Sequence, residues 1–371
     1  MGIHELYHPN QEERARQAFV GAMKAAINRT LEPELTKLYD KELLPRHIAG
    51  GGEPPEDRDA ARILFESDPL FQLWGSLTYT SQDRLWETCG EAISRLRPEF
   101  ESRAARIEAD DKRLGSLSLE PGLKKPEPIN SVHVHRQPGG YFLGDDTADL
   151  TAALWYMATV EIYRGAKGFR TTDNSSTEVG LQFAAMVRNF DADLAPKRIL
   201  DIGCGVGHMA IGLKQAWPDA EVHGVDLSGS FVRAGHLWAE DMGIPVHFHQ
   251  ADARNTGLES GSFDLIVSQI LFHETWHDVL PGILREAHRL LAPGGLLFNV
   301  DVPYQPDRIT KPQQVTHAWQ ESYNGEPFWV GFVDTDIGSE LTKAGFKKET
   351  AFSDYLSPGG GRPYFIFGGY K

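Results

Sequence analysis

The sequence is poor in cysteine, because its 371 residues include only Cys89 and Cys204. Two cysteines cannot form the disulfide framework of a small secreted domain, so a reducing compartment is expected. Long apolar runs are lacking as well: none approaches the ~18 residues of a membrane-spanning helix, and the first residues lack a signal-peptide pattern. We therefore expect a cytoplasmic protein without a membrane partner.

Basic residues are in deficit, since 37 lysines and arginines face 52 aspartates and glutamates, for a formal charge of −15. Such an excess of negative charge repels phosphate backbones and anionic lipid surfaces. Nucleic acid is therefore not an expected partner. Hydrophobic residues make up 41% of the chain, which is ordinary for a globular protein long enough to form two domains.

A glycine-rich turn stands between a predicted strand and a predicted helix. The apolar run Ile199–Ile202 leads into Gly203, Gly205 and Gly207, and an amphipathic segment follows. Glycines let ligand atoms approach the backbone, and the first turn of a helix favours anionic or polar groups. Asp226 ends a second apolar run roughly twenty residues later, where an acid accepts hydrogen bonds from ribose hydroxyls. The pattern predicts a bound cofactor.

The spacing of the glycines, G-x-G-x-G, departs from the G-x-G-x-x-G of dinucleotide-binding proteins and argues against NAD. Preceded by an acid in Asp201–Gly207, it closely resembles the signature of class I S-adenosylmethionine (SAM) methyltransferases. The resemblance continues in order through Asp226 and three further segments: Gln250–Ala253, Ser262–Ser268 and Leu290–Gly295.

The resemblance implies SAM as the cofactor and a set of residues that hold it. Asp201 and the glycine turn are expected at the methionine portion, Asp226 at the ribose, and Asp252 with Ala253 at the adenine. Gln269 follows the fourth strand and is expected near the cofactor methyl. The competing interpretation of Asp226 is a helix N-cap. The full set is Asp201, Gly203, Gly205, Gly207, Asp226, Asp252, Ala253 and Gln269.

The pentapeptide His273–His277 matches the H-E-x-x-H pattern of zinc metalloproteases. We reject that interpretation, because the pattern must lie within a helix, whereas here it follows a buried strand and Pro281 comes soon after. Its position at the end of the fourth strand instead predicts catalytic residues in the crevice of an open sheet. His273 is predicted as the general base, with Glu274 or His277 orienting it.

Two alternatives to this assignment stay open. In the first, His273 is not the base and only shapes the pocket or hydrogen-bonds the acceptor. In the second, the base is one of five other residues: Glu274, Asp301, His133, His135 and Tyr141. His133 and His135 also share one face if the segment is extended, so that Asp145 or Asp146 completes a metal site. Since long connections are functional or merely mobile, a substrate loop and a loop without a role are both possible, and no metal is expected.

Residues 1–146 predict a mainly helical domain, and residues 147–195 predict two bridging helices. We expect two helices from Glu12 to Leu44, an end of helical order at Pro45 and the run Gly50–Pro55, and a second helical block from Arg58 to Asp110 broken near Thr78–Ser81. The apolar residues of this domain predict packing on itself and on the catalytic domain. A homodimer through these helices, or a cap over the substrate, is the alternative role.

Residues 196–371 predict an α/β fold, a doubly wound, mostly parallel, seven-stranded sheet with an antiparallel C-terminal hairpin. After the fifth strand, an insertion carries five aromatic residues that predict either a lid over an apolar pocket or packing against the N-terminal helices. They are Trp319, Tyr323, Phe328, Trp329 and Phe332. The last two strands are placed at Lys347–Phe352 and Arg362–Gly368.

The expected function is SAM-dependent methylation of a small, partly apolar acceptor, most readily at a hydroxyl. Methyl transfer depends mainly on positioning, and a hydroxyl acceptor must also lose its proton. The alternatives are N- or C-methylation of a small molecule, or SAM binding without catalysis in a scaffold or regulator.

Overall fold

The computed structural model describes residues 7–143, 149–167, 177–303, 305–357 and 363–371. The suggested contribution of Asp145 or Asp146 to a metal site lies outside these ranges, and so does the turn between the last two strands. Within the described ranges, no helix combines the length and apolarity that a membrane span requires.

The chain begins with one long helical run rather than two helices. Helix α1 (Gln11–Ala26) starts at an Asn10–Glu13 capping box and continues through two π-helical segments into α2 (Glu32–Leu38) and α3 (Leu44–Ala49). Of the two signals predicted to end helical order, the run from Gly50 does so and Pro45 does not. Pro45 lies in the first turn of α3, where its missing N–H is tolerated, and the helix ends at Gly50.

Helices α4 (Arg58–Phe65) and α5 (Pro69–Glu108) follow, and α5 runs unbroken for 40 residues. The predicted break at Thr78–Ser81 is therefore wrong. The hydroxyls of Thr78 and Ser81 donate to carbonyls one turn earlier in the same helix, those of Trp74 and Thr78, so these polar residues are accommodated within it.

The sheet of the described residues has eight strands rather than seven, in the order β1-β4-β3-β2-β5-β6-β8-β7. The additional strand, β1 (Ser116–Ser118), pairs in parallel with β4 and forms one edge of the sheet. At three residues it is too short to show an alternating pattern in the sequence. The other strands are β2 (Arg198–Ile202), β3 (Glu221–Asp226), β4 (His247–Gln250), β5 (Phe263–Gln269), β6 (Leu291–Asp301), β7 (Phe352–Leu356) and β8 (Tyr364–Tyr370).

The predicted α/β fold is confirmed, with all strand pairs parallel except those of β8, which is antiparallel to β6 and β7. β7 begins where its predicted strand ends, because the Ala351 N–H donates to the Lys347 carbonyl in a turn and pairing starts at Phe352. The remaining helices are α6 (Thr151–Lys167), α7 (Glu178–Phe190), α8 (His208–Ala216), α9 (Gly229–Asp241), α10 (Leu280–Leu290), α11 (Lys311–Ala318), α12 (Gln320–Tyr323), α13 (Trp329–Val333) and α14 (Ile337–Ala344).

The largest apolar core joins the N-terminal helices to one face of the sheet. Val20 of α1 and Phe100 of α5 belong to the same buried cluster as Phe231 and Trp238 of α9. A second cluster covers the opposite face with α10, α13 and α14. The N-terminal helices thus bury apolar surface against the sheet region as well as against one another.

Candidate active site

A cleft opens at the carboxyl ends of the parallel strands, where open α/β sheets place their ligands. Gly203 and Gly205 follow β2, Asp226 ends β3, and Asp252 with Ala253 follows β4; all five line the cleft. Its empty space, including the mouth, is about 1130 Å³.

The glycine turn is closed by backbone hydrogen bonds to the neighbouring strand. The N–H groups of Gly203 and Cys204 both donate to the Val225 carbonyl. Gly203, Gly205 and Gly207 all have positive φ, which disfavours other residues. A Cβ on Gly203 would stand 2.5 Å from Leu271, whereas a Cβ on Gly205 would meet only Tyr156 at 4.0 Å and would enter the cleft. The turn therefore leaves its backbone open to a ligand.

Asp226 is fixed at the cleft by two backbone donors. The Gly205 N–H donates to its Oδ2 at 2.9 Å, and the Ser228 N–H donates to its Oδ1 at 2.9 Å. The N-cap of α9 is Ser228, whose hydroxyl oxygen accepts from Phe231 N–H. Asp226 is therefore not the helix cap that the alternative interpretation required.

Other predicted cofactor residues lie away from the cleft surface. Asp201 is fully buried, and burial, reinforced by the charge of Asp226, raises its pKa well above the usual range. Gly207 caps α8, and Gln269 is the last residue of β5, paired with Val300. The cleft-lining residues of the described ranges do not include these three.

Five largely buried side chains form a continuous series of ion pairs beside the cleft. His273 Nδ1 lies 2.6 Å from Asp301 Oδ1, and its Nε2 lies 3.4 Å from Glu274 Oε1. His135 Nε2 lies 2.6 Å from the same Glu274 oxygen, and its Nδ1 lies 2.9 Å from Glu326 Oε1. We call this series, Asp301–His273–Glu274–His135–Glu326, the carboxylate–imidazole network.

The charges of the network shift its pKa values strongly. Burial lowers the pKa of His135, but Glu274 and Glu326 outweigh it and raise that pKa to about 10. Burial likewise opposes a charged His273, yet Asp301 and Glu274 raise its pKa well above the usual range. For Glu274, burial is outweighed by both imidazoles, which hold its pKa well below the usual range.

The two faces of the network differ in access. His135 and Glu274 line the cleft, whereas the 3% exposed His273 does not. His277 is largely exposed and lies 3.3 Å from Asp278. The pentapeptide forms a 3₁₀ turn at Phe272–Glu274 rather than a helix, so its two histidines do not share a helical face.

The expected pairing of His133 with His135 on one strand is wrong, because the chain forms a 3₁₀ turn there and His133 is exposed. Of the described residues, His135, Glu274 and Glu326 have the spacing of a cation site. Both His135 nitrogens face these carboxylates, Nε2 towards Glu274 and Nδ1 towards Glu326. Sequence reasoning missed Glu326, since nothing local distinguishes it.

Aromatic side chains line the cleft opposite the strands. Phe231 lies between Tyr141 and Tyr156, with ring centroids 5.4 and 5.1 Å away. Phe142 and Trp276 also line the cleft. None of these came from the predicted lid.

The five aromatic residues of the insertion pack into the protein instead. Trp319 contacts Phe71 edge-on, and Tyr323 contacts Trp74, at 5.6 Å in both pairs. Trp329 packs edge-on against His273 at 5.3 Å. The insertion therefore supports the N-terminal helices and the network rather than the cleft wall.

Comparisons with known proteins agree with this site. Residues 199–295 match the family model of a methyltransferase domain. The chain is 38% identical over 112 residues to a demethylmenaquinone methyltransferase from Thermus thermophilus. This match covers 30% of this chain and 50% of the relative. The chain is also 31% identical over 153 residues to a malonyl-(acyl-carrier protein) O-methyltransferase from Halorhodospira halophila. This match covers 41% of this chain and 48% of the relative.

The chain thus spans about half the length of these curated relatives. Among solved structures, phosphoethanolamine N-methyltransferase 2 from Haemonchus contortus, in complex with SAM, matches 48% of this chain and 39% of its own, at 20% identity and a TM-score of 0.38. On the family match, residues 199–295, which include the glycine turn and Asp226, are similar to a methyltransferase domain.

Proposed function

We propose that the protein transfers the methyl group of SAM to the oxygen of a small, partly apolar acceptor whose hydroxyl is acidic, such as a phenol. The observation that carries the proposal is the position of Glu274 and His135, which line the same cleft as Gly205 and Asp226. One cleft thereby offers a cofactor site and a proton-accepting network.

The cofactor side is assigned to the residues at the strand ends. The open backbone of Gly203 and Gly205 would accommodate the methionine portion, Asp226 would accept hydrogen bonds from the ribose hydroxyls, and Asp252 with Ala253 would meet the adenine. Asp201 would act from beneath the turn, by supporting it rather than by contact. When bound, SAM supplies a reactive methyl group on its sulfonium.

The acceptor's proton would pass to the carboxylate–imidazole network. The network joins three carboxyl groups to two imidazoles, so its acidic groups outnumber its basic groups by one. Groups so strongly coupled titrate together, and their apparent pKa values belong to the network. Glu274, which lines the cleft, is the group we assign to take the proton. Because the two imidazoles outweigh burial and hold its pKa well below the usual range, Glu274 is a weak base, and the acceptor hydroxyl must itself be acidic. His273, protonated and buried, is assigned an orienting role rather than the predicted role of base.

The network is a weak base, so it would remove a proton more readily from an acidic hydroxyl than from an aliphatic alcohol. A phenol has a pKa of about 10, near that of tyrosine, whereas an aliphatic alcohol resembles water at about 16. The difference of about 6 units adds about 8 kcal/mol to the cost of proton removal. The aromatic wall formed by Tyr141, Tyr156 and Phe231 also fits a planar ring.

The proposal is tested by comparing phenol with 4-nitrophenol, which is already ionised at mildly alkaline pH. Glu274→Gln should lower kcat for phenol by ~10²–10⁴, because a proton acceptor is lost. The rate with 4-nitrophenol should fall far less, since no proton needs to be removed. SAM affinity, measured by calorimetry, should not change. Glu127→Gln is the matched control, because Glu127 also lines the cleft but bonds Ser131 and Asn130.

Equal losses with both phenols would contradict the role of Glu274. Methylation of amines or carbon acids alone would favour the N- or C-methyltransferase alternative. SAM binding without turnover of phenols, amines or carbon acids would favour a scaffold or regulator.

A further inference from the structure

The residue that completes the network is held in an unusual backbone conformation. His135 and Arg136 have φ values of 53° and 60°, in the left-handed region that non-glycine residues rarely adopt. Such residues persist only where the surrounding structure overrides the strain, and they concentrate at functional sites. Here the conformation places His135 at the cleft between Glu274 and Glu326.

Two side chains of helix α5 hold the His135 backbone. The Gln82 amide and the Trp86 indole N–H both donate to the His135 carbonyl oxygen, each at 2.7 Å. On the other side, the His135 N–H donates to the Gly325 carbonyl. A Cβ on Gly325 would lie 2.6 Å from Arg136 Cγ, so this approach requires glycine.

The orientation of Gln82 is itself determined. Gln82 is fully buried, and its amide oxygen accepts from Lys24 Nζ of α1 at 2.6 Å. The amide nitrogen therefore faces the His135 carbonyl. Trp86 stacks on Trp155 of α6, with centroids 5.8 Å apart, which keeps its N–H in line.

The next residue is anchored to the same helix. Arg136 pairs with Asp83 at 2.7 Å and lies over the ring of Tyr79, with its guanidinium carbon 3.7 Å from the centroid. Side chains on one face of α5 thus contact both residues of positive φ, His135 and Arg136.

We propose that Gln82 and Trp86 are positioning residues, which hold the His135 imidazole between Glu274 and Glu326 and make helix α5 part of the acceptor site. This inference rests on the proposed function of the network. It assigns helix α5 an indirect part in catalysis, because Gln82 and Trp86 act on the cleft through the backbone carbonyl of His135.

The test uses Gln82→Glu and Trp86→Phe in the full-length protein. Gln82→Glu keeps the size and the Lys24 contact but places an acceptor against the His135 carbonyl. Trp86→Phe keeps a ring on Trp155 but removes the donor. Each should lower kcat/KM for phenol about tenfold, the loss expected of one buried hydrogen bond, with unchanged SAM affinity. As the His135 imidazolium moves from Glu274, the acidic limb of the pH–rate profile should shift to higher pH.

Nitrogen-15 NMR of the His135 imidazole provides a readout that does not depend on turnover, and its signal should change in both variants. The matched control is Gln17→Glu, a buried amide of α1 whose partner is the Tyr7 hydroxyl. The inference is overturned if the His135 signal and the pH profile stay at their wild-type values, or if Gln17→Glu lowers activity equally. Absence of any phenol methylation by the wild type, with an altered His135 signal in the variants, would instead overturn the proposed function alone.

Discussion

Asp201 and Asp226 are neighbouring carboxyl groups that differ in burial and in hydrogen bonding. Asp201 is fully buried, and its raised pKa favours the neutral form. Asp226 reaches the cleft and accepts from two backbone N–H groups, which stabilise its charge. Only Asp226 therefore presents a charged acceptor to a ligand hydroxyl.

At this scale we predict that SAM raises the melting temperature while NAD does not, because only a ligand of the native state stabilises it by mass action. Asp226→Asn should remove most of that shift, since the loss of charged acceptors for buried hydroxyls costs about 1–3 kcal/mol. Differential scanning fluorimetry checks both statements, with Asp278→Asn as an exposed control. Equal shifts with NAD, or an undiminished SAM shift in Asp226→Asn, would refute the assignment.

At the scale of elements, the glycine turn depends on the packing of α7 against α8, the helix that the turn begins. The two helices meet at Gly180 and Gly212. A Cβ on Gly180 would lie 2.4 Å from the Met209 carbonyl oxygen, and one on Gly212 would lie 2.3 Å from the Thr177 carbonyl oxygen. Both obstacles are backbone atoms, which cannot move aside without shifting a helix.

Gly180→Ala should therefore lower the free energy of unfolding by about 1–3 kcal/mol, the usual cost of overpacking. Gly338→Ala is the matched control, because that helical glycine has only one neighbouring atom, at 3.6 Å, and alanine is the better helix former. Urea unfolding at constant pH provides the measurement. A Gly180→Ala protein as stable as Gly338→Ala would show that the helices separate without cost.

On the scale of the whole molecule, histidines make the fold sensitive to acid. Burial, with His223 and His247 adding charge repulsion, lowers the pKa of His249 to about 4, and burial alone lowers that of His317 to about 3. Unfolded histidine titrates near 6.5. Below that pH the unfolded chain binds protons that the folded protein does not, so the stability from these groups is present above pH 6.5 and lost towards pH 4 and 3.

We predict that the free energy of unfolding falls between pH 7 and pH 5, with each buried imidazole contributing on the order of 1 kcal/mol. His249→Gln should reduce this pH dependence, whereas exposed His133→Gln should not. The raised pKa of His135 opposes the trend only in part, since its stabilisation is fully present below pH 6.5 and is lost from there as pH rises through about 10, mostly outside the tested range. Urea unfolding at both pH values gives the comparison; unchanged stability at pH 5 would contradict it.

Local patterns in the sequence determined the strand–turn–helix motif and the resemblance to methyltransferases. The run into Gly203, and Asp226 at the end of β3, depend on backbone conformation and alternation within a few residues, which the sequence displays directly. The same reasoning failed where longer-range packing decides. β1 forms because it finds the edge of β4, and α5 continues past Thr78 because its hydroxyls bond within the helix.

The proposed catalytic side of the site depends on the tertiary structure alone. His135, Glu274 and Glu326 come from a turn, a strand end and an insertion that are distant in sequence, so no local spacing predicts their contact. His273 was predicted as the base from its place after the fourth strand, but only folding buries it against Asp301, whose charge outweighs burial and raises its pKa. A side chain's charge depends on the groups that surround it in space, and the sequence does not reveal those groups until the chain has folded.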